Sequence, residues 1–398
     1  MSSYIRPTRR GWLLAFNALL WYMVARGNQN LITLILAWGS LALIVMGFLM
    51  AFFSLKRIHL RRAPVSDAYM TQLVNLPIIC VNPLRRSRQP FVISESLPFA
   101  DISPHETIVP ALASRTALPL QRMAMPVKRG DYRLSEISIH GTDPAGLFLR
   151  TRTFQLPASI IVYPPVFPIA NLHLPAPESF QTRISQTSIA VSGDSQDFYG
   201  VREYHPSDGM KHIHWRSSAK YGKLMVREYE RSASLSIAIL LDAAIADVTP
   251  KSQANLECIV SLASSLCTYL RPLRCTLSYA AGGRVPVMLE QREMSDAFSR
   301  TMVEIATIQP GNVTLDEAVE MLMPSMAPHT LVFCFSLSDS PQVKTVIEML
   351  RTQGADIRWF LASAKAFLPP RQRKLPADTS SDFPKAITPE MTTEQIFG

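Results

Sequence analysis

The sequence predicts a chain of three parts: an N-terminal transmembrane helical hairpin, an all-β sandwich and a doubly wound α/β domain. Three observations carry this reading. Residues 1–56 hold two apolar stretches separated by a short polar one. Residues 57–165 break into short runs bounded by Pro, Gly, Asn or Asp, the signature of strands and turns. Residues 232–365 alternate short apolar runs with amphipathic ones, which predicts strands and helices in turn around one sheet.

The hairpin comes first. Leu31 to Leu55, LITLILAWGSLALIVMGFLMAFFSL, carries no charge over 25 residues. That length crosses a hydrocarbon core of about 30 Å at about 1.5 Å per residue. Gly11 to Ala25, GWLLAFNALLWYMVA, is shorter; Asn17 is its one strongly polar residue, and Trp12, Trp21 and Tyr22 suit the membrane interfaces. The other reading of this first stretch is a signal peptide, but no Ala-x-Ala site follows it. Arg26 to Asn30 is expected to be the turn. Arg6, Arg9 and Arg10 precede the first stretch, and Lys56, Arg57, Arg61 and Arg62 follow the second. Positive flanks stay inside, so both ends and everything after residue 56 are expected in the cytoplasm. The net charge of +9 then reads as attraction to anionic lipid. The five cysteines, Cys80, Cys258, Cys267, Cys275 and Cys334, form no CxxC and mostly lie in apolar runs. They read as reduced, buried thiols.

The β-region, 57–165, holds about seven runs such as LPIICVNP, PFVISESLP, RLSEISIHG and SIIVYP. Their close spacing predicts an antiparallel sandwich. Thr142-Asp143-Pro144-Ala145-Gly146 reads as a turn, with Pro and Gly at positions that favour them. Arg129-Gly130-Asp131 reads as a turn into a strand, not as an adhesion tripeptide. Residues 166–197 are rich in Pro, then in Ser, Thr and Gln, and read as a linker.

In the α/β region, SLSIAILLDAA and HTLVFCFSLSD read as central parallel strands, RCTLSYAA, RVPVMLE and DIRWFLAS as further strands. Helices are expected over Ser252–Leu270, Met294–Ile308, from Thr314, and over Pro341–Gln353, where Gly354 ends the last. Thr314 with Glu317 reads as a capping box. Residues 366–398 are left as a C-terminal tail. Ligands of such sheets bind at the carboxyl ends of strands, where Asp242 and Asp339 stand. Neither has a second carboxylate nearby in sequence to share a Mg²⁺, so both are expected to accept bonds from loop amides. No Gly-rich phosphate loop occurs, so no nucleotide is expected.

Between these parts lies FYGVREYHPSDGMKHIHWRSSAKYGK, starting at Phe198, within a distinct segment 198–231. If KHIHW is extended, His212 and His214 share a face and His205 or Asp208 could complete a zinc site. Lys211 and Arg216 oppose a cation there. Ser217 or Ser218 with His214 as base lacks a Gly-x-Ser-x-Gly elbow. The basic residues alternate with Asp197, Glu203, Asp208, Glu228 and Glu230, which disfavours a phosphate track and nucleic acid. The favoured reading is that Tyr204, Ile213 and Trp215 pack while charged neighbours pair. That would leave a rigid surface for a protein partner, made of Arg202, Glu203, Tyr204, Asp208, His214, Trp215, Arg216 and Lys220. The rival is a membrane-bound metal-dependent hydrolase using the histidines at 205, 212 and 214.

RGDYRL…DPAGLF…VYP followed by GVREYHPSDGMKHIHWRSSAKYGKLMVREYE resembles the bacterial domain of unknown function 58 family. The resemblance runs from about Lys128 to Glu230. It implies two N-terminal membrane spans, a β-domain and a von Willebrand factor A-like α/β domain at the bacterial inner membrane. It implies no enzymatic activity. It implies instead a scaffold or adaptor that works with a MoxR-type AAA+ ATPase and a transglutaminase-like membrane protein in protein assembly or maturation. The chain departs from von Willebrand A domains at their adhesion metal motif, Asp-x-Ser-x-Ser. Here Asp242 is followed by Ala243-Ala244-Ile245-Ala246, so methyls replace both serine hydroxyls. Asp242, Thr314 and Asp339 are the nearest approach to metal ligands, and no cofactor is expected.

Overall fold

Both apolar stretches at the N-terminus are helical. A short strand, β1 (Ser2–Pro7), leads into α1 (Arg9–Asn28), and α2 (Leu31–Ser54) follows. The two helices pack against each other. Among the described residues α2 is the one helix long and apolar enough to cross a membrane. The first stretch is longer than the expected 11–25. Arg26, Gly27 and Asn28, expected in the turn, continue α1, because a single Gly weakens a helix without ending it.

The computed structural model describes all residues except 1, 29–30, 171, 173, 175–197, 206–212, 230–234, 246–248, 364–383, 389–390 and 398. Two units emerge, Met1–Val166 with Met302–Ile308, and Phe167–Thr301 with Gln309–Gly398.

The first unit adds ten strands after α2: β2 (His59–Arg62), β3 (Ala68–Tyr69), β4 (Val74–Asn75), β5 (Ile78–Val81), β6 (Phe91–Glu95), β7 (His105–Val109), β8 (Ala117–Leu120), β9 (Met123–Ala124), β10 (Gly130–Thr142) and β11 (Phe148–Tyr163). The main sheet runs β1-β11-β10-β6-β7, with β3 beside β11; β2-β5-β8 and β4-β9 form smaller sheets. Alternation drives the packing. In β6, Phe91, Ile93 and Glu95 point inward, and in β5 Ile78 and Cys80 do. Burying the Glu95 carboxylate requires partners. Arg62 reaches one of its oxygens at 2.5 Å and Arg122 the other at 2.6 Å.

The first residues were expected only to supply positive charge. They instead form an edge strand, with Tyr4 opposite Thr151 and Arg6 opposite Leu149 on β11. The tip between β10 and β11 then meets the helices. Asp143 builds that tip: its carboxylate accepts from the amides of Ala145 (3.1 Å) and Phe148 (2.7 Å), and Gly146 sits at φ +68°. Thr8 joins the tip to α1. Its N–H donates to the Leu147 carbonyl (2.8 Å), its hydroxyl donates to the Gly146 carbonyl (2.6 Å), and the same oxygen accepts from the Gly11 amide (3.2 Å). A Cβ at Gly11 would lie 2.4 Å from the Leu147 carbonyl oxygen, and one at Gly47 of α2 would lie 3.1 Å from the Leu147 side chain. Glycine on both helices is what lets the tip approach.

Beyond the tip, α2 lies along β11 in step. Phe48 packs edge-on to Phe148, the Arg150 guanidinium lies 5.2 Å from the Phe52 ring, and Arg152 donates to the Leu55 carbonyl. One helical turn advances about 5.4 Å and two strand residues about 6.8 Å, so every second strand residue meets about every fourth helix residue.

The second unit opens with β12 (Phe198–Glu203), α3 (Trp215–Tyr221) and β13 (Met225–Tyr229). Its main sheet comprises β14 (Leu235–Leu241), β15 (Cys275–Ala281), β16 (Val287–Glu293), β17 (Leu331–Ser336), β18 (Asp356–Leu361) and β19 (Lys385–Ala386). The spatial order is β16-β15-β14-β17-β18-β19, parallel throughout except for β16. Helices α4 (Pro250–Leu270), α5 (Met294–Thr307, whose residues from Met302 are grouped with the first unit), α6 (Leu315–Leu322) and α7 (Pro341–Thr352) connect the strands, and α8 (Thr393–Phe397) follows β19. Ala238, Leu240, Val332 and Cys334 form one core with α6 and α7; α4 packs on β14 and β17 as well. Every residue of β17 is buried, as a central strand demands. Within the stretch read as a tail, β19 extends the sheet, and Phe397 of α8 packs 5.4 Å from Phe360.

All five cysteines are free. Burial pushes the thiols of Cys80 and Cys267 up to about 12 and those of Cys258 and Cys275 up to about 11.

Candidate functional site

The segment from Phe198 is a β-hairpin interrupted by a helix. β12 and β13 pair antiparallel, with Arg202 opposite Val226 and Glu203 opposite Met225. The Tyr204 amide extends the ladder to the Leu224 carbonyl (2.8 Å). Ile213 and Val226 are buried against each other across a further bridge. The condition that KHIHW be extended is not met throughout: Lys211 and His212 lie outside the described residues, and α3 begins at Trp215.

His214 explains the break. It is the N-cap of α3, and its Nδ1 accepts from the Ser217 amide (3.3 Å) with the Ser217 hydroxyl 2.7 Å away. An accepting Nδ1 places the ring proton on Nε2. The Ser217–His214 contact is therefore the geometry of a cap, and it takes up one of the two ring nitrogens, either of which could bind a metal. Ser218 fastens the helix to the hairpin: its hydroxyl donates to the His214 carbonyl (3.0 Å) and accepts from the Met225 amide (2.8 Å). Gly222, at φ +67°, closes the helix in the left-handed region that costs glycine least.

None of the seven residues of α3 is buried. Trp215 is 69% exposed, which overturns the expectation that it packs inward. Tyr221 is 60% exposed, and Leu224 is exposed beside it. Arg216 and Lys220 stand four apart on one exposed helix face, and Lys220 lies 5.5 Å from the Tyr221 ring. Glu203 pairs with Lys223 at 2.9 Å, both exposed. That pairing raises the Lys223 pKa, through the hydrogen bond first and the charge second. Tyr204 is half-buried. The side chain of Arg202 lies outside what is described, as do Asp208 and His212. Tyr221 and Leu224 were not singled out from sequence, since nothing about their spacing marks them.

A second candidate lies at the carboxyl ends of β14 and β17. Asp242, Asn312, Thr314, Ser338 and Ser340 line a cleft of about 300 Å³. Asp242 is 3% exposed and accepts from the Ala244 amide (3.0 Å). Burial pushes its carboxyl up to about 6, against the lowering effect of amides of Ala244 and Leu337, with Asp316 adding to the rise. Thr314 occupies the N-cap position of α6, but its hydroxyl makes no cap bond, so the expected capping box does not form. Asp339 does not line the cleft. It is exposed and stands 3.9 Å from Lys344. Sequence reasoning missed Asp316, which the fold brings within electrostatic reach of Asp242 and whose Oδ1 is buried without a partner among the described residues.

A divalent ion would need anionic oxygens directed at one point. Here Asp242 spends its carboxylate on loop amides, position 244 offers a methyl, and Asp339 faces away to Lys344. Among the described residues no three of His, Cys, Asp and Glu come together as a metal site. Positions 244 and 246 supply methyls where the adhesion-type cage has hydroxyls, so the donor set does not fit that cage.

An α/β unit bearing a capped, helix-bearing hairpin ahead of its first central strand is thus the class that fold and site define. The family described as "Protein of unknown function DUF58" matches residues 200–354, the hairpin and most of the α/β sheet. The motif between Lys128 and Pro164 lies outside that match. The chain is also similar to the uncharacterized protein YeaD of Bacillus subtilis (strain 168), at 28% identity over 120 residues. The alignment covers 29% of this chain and 29% of that protein.

Proposed function

We propose that this protein is a non-enzymatic scaffold or adaptor, anchored in the bacterial inner membrane by two spans, whose α3 hairpin recruits a protein partner in the cytoplasm. The observation that carries it is Trp215. A tryptophan two-thirds exposed, at the start of a helix capped at both ends and beside Arg216, has the composition of an interface anchor. Family resemblance makes a MoxR-type AAA+ ATPase the first partner to seek, a transglutaminase-like membrane protein the second, and protein assembly or maturation the process. The same resemblance supports reading the α/β unit as von Willebrand factor A-like. The adaptor reading assigns no cofactor.

The two-span reading has physical support. β1 precedes α1, and the chain after α2 returns to the same sheet. If α2 crosses the bilayer, α1 must cross it too, or β1 could not reach β11. The basic residues at both ends then favour the cytoplasm.

Photo-cross-linking in membranes, followed by mass spectrometry, tests the surface. The ATPase is expected with the wild type, and Trp215→Ala is expected to cut its recovery by about ten-fold, the worth of one anchor residue. Because Trp215 is exposed, the thermal midpoint should not move. Unchanged recovery with Trp215→Ala would contradict the reading.

A further inference from the structure

The foot of α2 gathers positive charge. Arg88 donates through Nη1 to the Phe53 carbonyl and through Nη2 to the Lys56 carbonyl, each at 2.7 Å. Arg152 donates to the Leu55 carbonyl and, at 3.4 Å, to the Ile58 carbonyl. Two guanidiniums therefore cap the negative end of the helix, which carries roughly half a charge. Arg150 is a third, 8% exposed, lying over Phe52 and reaching Ser3 Oγ only at 3.4 Å. Its Nη1, and Nε of Arg88, are buried with no hydrogen-bond partner among the described residues. Burial lowers the Arg150 pKa, and the positive charges of Arg152 and then Arg88 lower it further. Lys56 adds a further cation, over the Phe52 and Phe53 rings. A cluster of this sign with orphaned donors calls for an anion.

Position identifies the anion. α2 has 24 residues, about 36 Å of helix against about 30 Å of hydrocarbon. If α2 spans the membrane, its last turn stands among the phosphates, where the snorkelling side chain of Lys56 suits the interface. We propose that the basic cluster at the foot of α2, centred on Arg150 and Arg88, binds the phosphate of an anionic phospholipid headgroup. The proposal rests on α2 lying in the bilayer.

The test uses the full chain. Flotation with phosphatidylcholine vesicles, with and without phosphatidylglycerol, reads the anchor. Native mass spectrometry in detergent then reads retention of each lipid. Wild type should retain phosphatidylglycerol about five-fold over phosphatidylcholine or better, the worth of one basic residue at an anionic surface. Arg150→Gln should bring the ratio near one. Arg150→Lys should keep most of it, and Arg133→Gln, an exposed charge far along β10, should change nothing. Should Arg150→Gln unfold, Arg88→Gln must show the same loss. Equal retention of the two lipids, or an equal loss with Arg133→Gln, overturns the headgroup site. Displacement of phosphatidylglycerol by equimolar inorganic phosphate also overturns it and assigns the cluster to a free anion. A chain that floats with neither vesicle sinks the anchor and the site together, whereas one that floats equally with both and retains both lipids equally sinks the site alone.

Discussion

At the scale of single residues, buried polar groups carry the most information. Asp242 takes two amides at the end of β14, yet burial still raises its carboxyl from an ordinary 3.8 to about 6. A raised acid favours the protonated fold. Its ionisation therefore costs nothing below about pH 3.8 and its full penalty, about 3 kcal/mol, above about pH 6. Asp242→Asn keeps an acceptor for the Ala244 amide and removes the ionisation. Urea unfolding of the full chain should find this variant more stable than wild type at pH 8, with the gap closing towards pH 4. A variant less stable at pH 8 than at pH 5, relative to wild type, would contradict the assignment. Sequence could place Asp242 at a strand end. It could not show Asp316 beside it, because the two lie on different elements and meet only through the fold.

At the scale of elements, legibility followed apolar periodicity. α2, β14 and β17 could be read because each has an uninterrupted apolar run whose length decides its type. β1 could not, since SSYIRP has no alternation to detect and gains its order from β11. α3 could not, because a helix with no buried residue has no apolar stripe, and its N-cap is a histidine, not Ser, Thr, Asp or Asn. The DPAG turn was readable; its docking against two helices was not. That docking makes a prediction. Gly11→Ala places a methyl 2.4 Å from the Leu147 carbonyl oxygen and should destabilise the full chain in detergent by about 1–3 kcal/mol, freeing β1 to protease. Gly39→Ala, with nothing within 4 Å, is the control and should be neutral or slightly stabilising. Equal effects from both would show that the tip does not bear on α1.

At the scale of the whole molecule, the account depends on one pairing: β1 and β11 hold the start of the chain and the chain after α2 on one side of any membrane that α2 crosses. The recruiting hairpin and the basic foot have their proposed roles only if that side is the cytoplasm. The native cysteines suit a labelling test, since all but Cys258 are buried and burial raises the thiols. Gly27, at the end of α1, and Lys223, after α3, are both exposed. The most direct measurement is labelling of Gly27→Cys and Lys223→Cys with a membrane-impermeant maleimide in cells whose inner membrane is intact. The account predicts that Gly27→Cys labels at once and Lys223→Cys only after the membrane is opened. Labelling of Lys223→Cys in intact cells, or protection of Gly27→Cys, would contradict it.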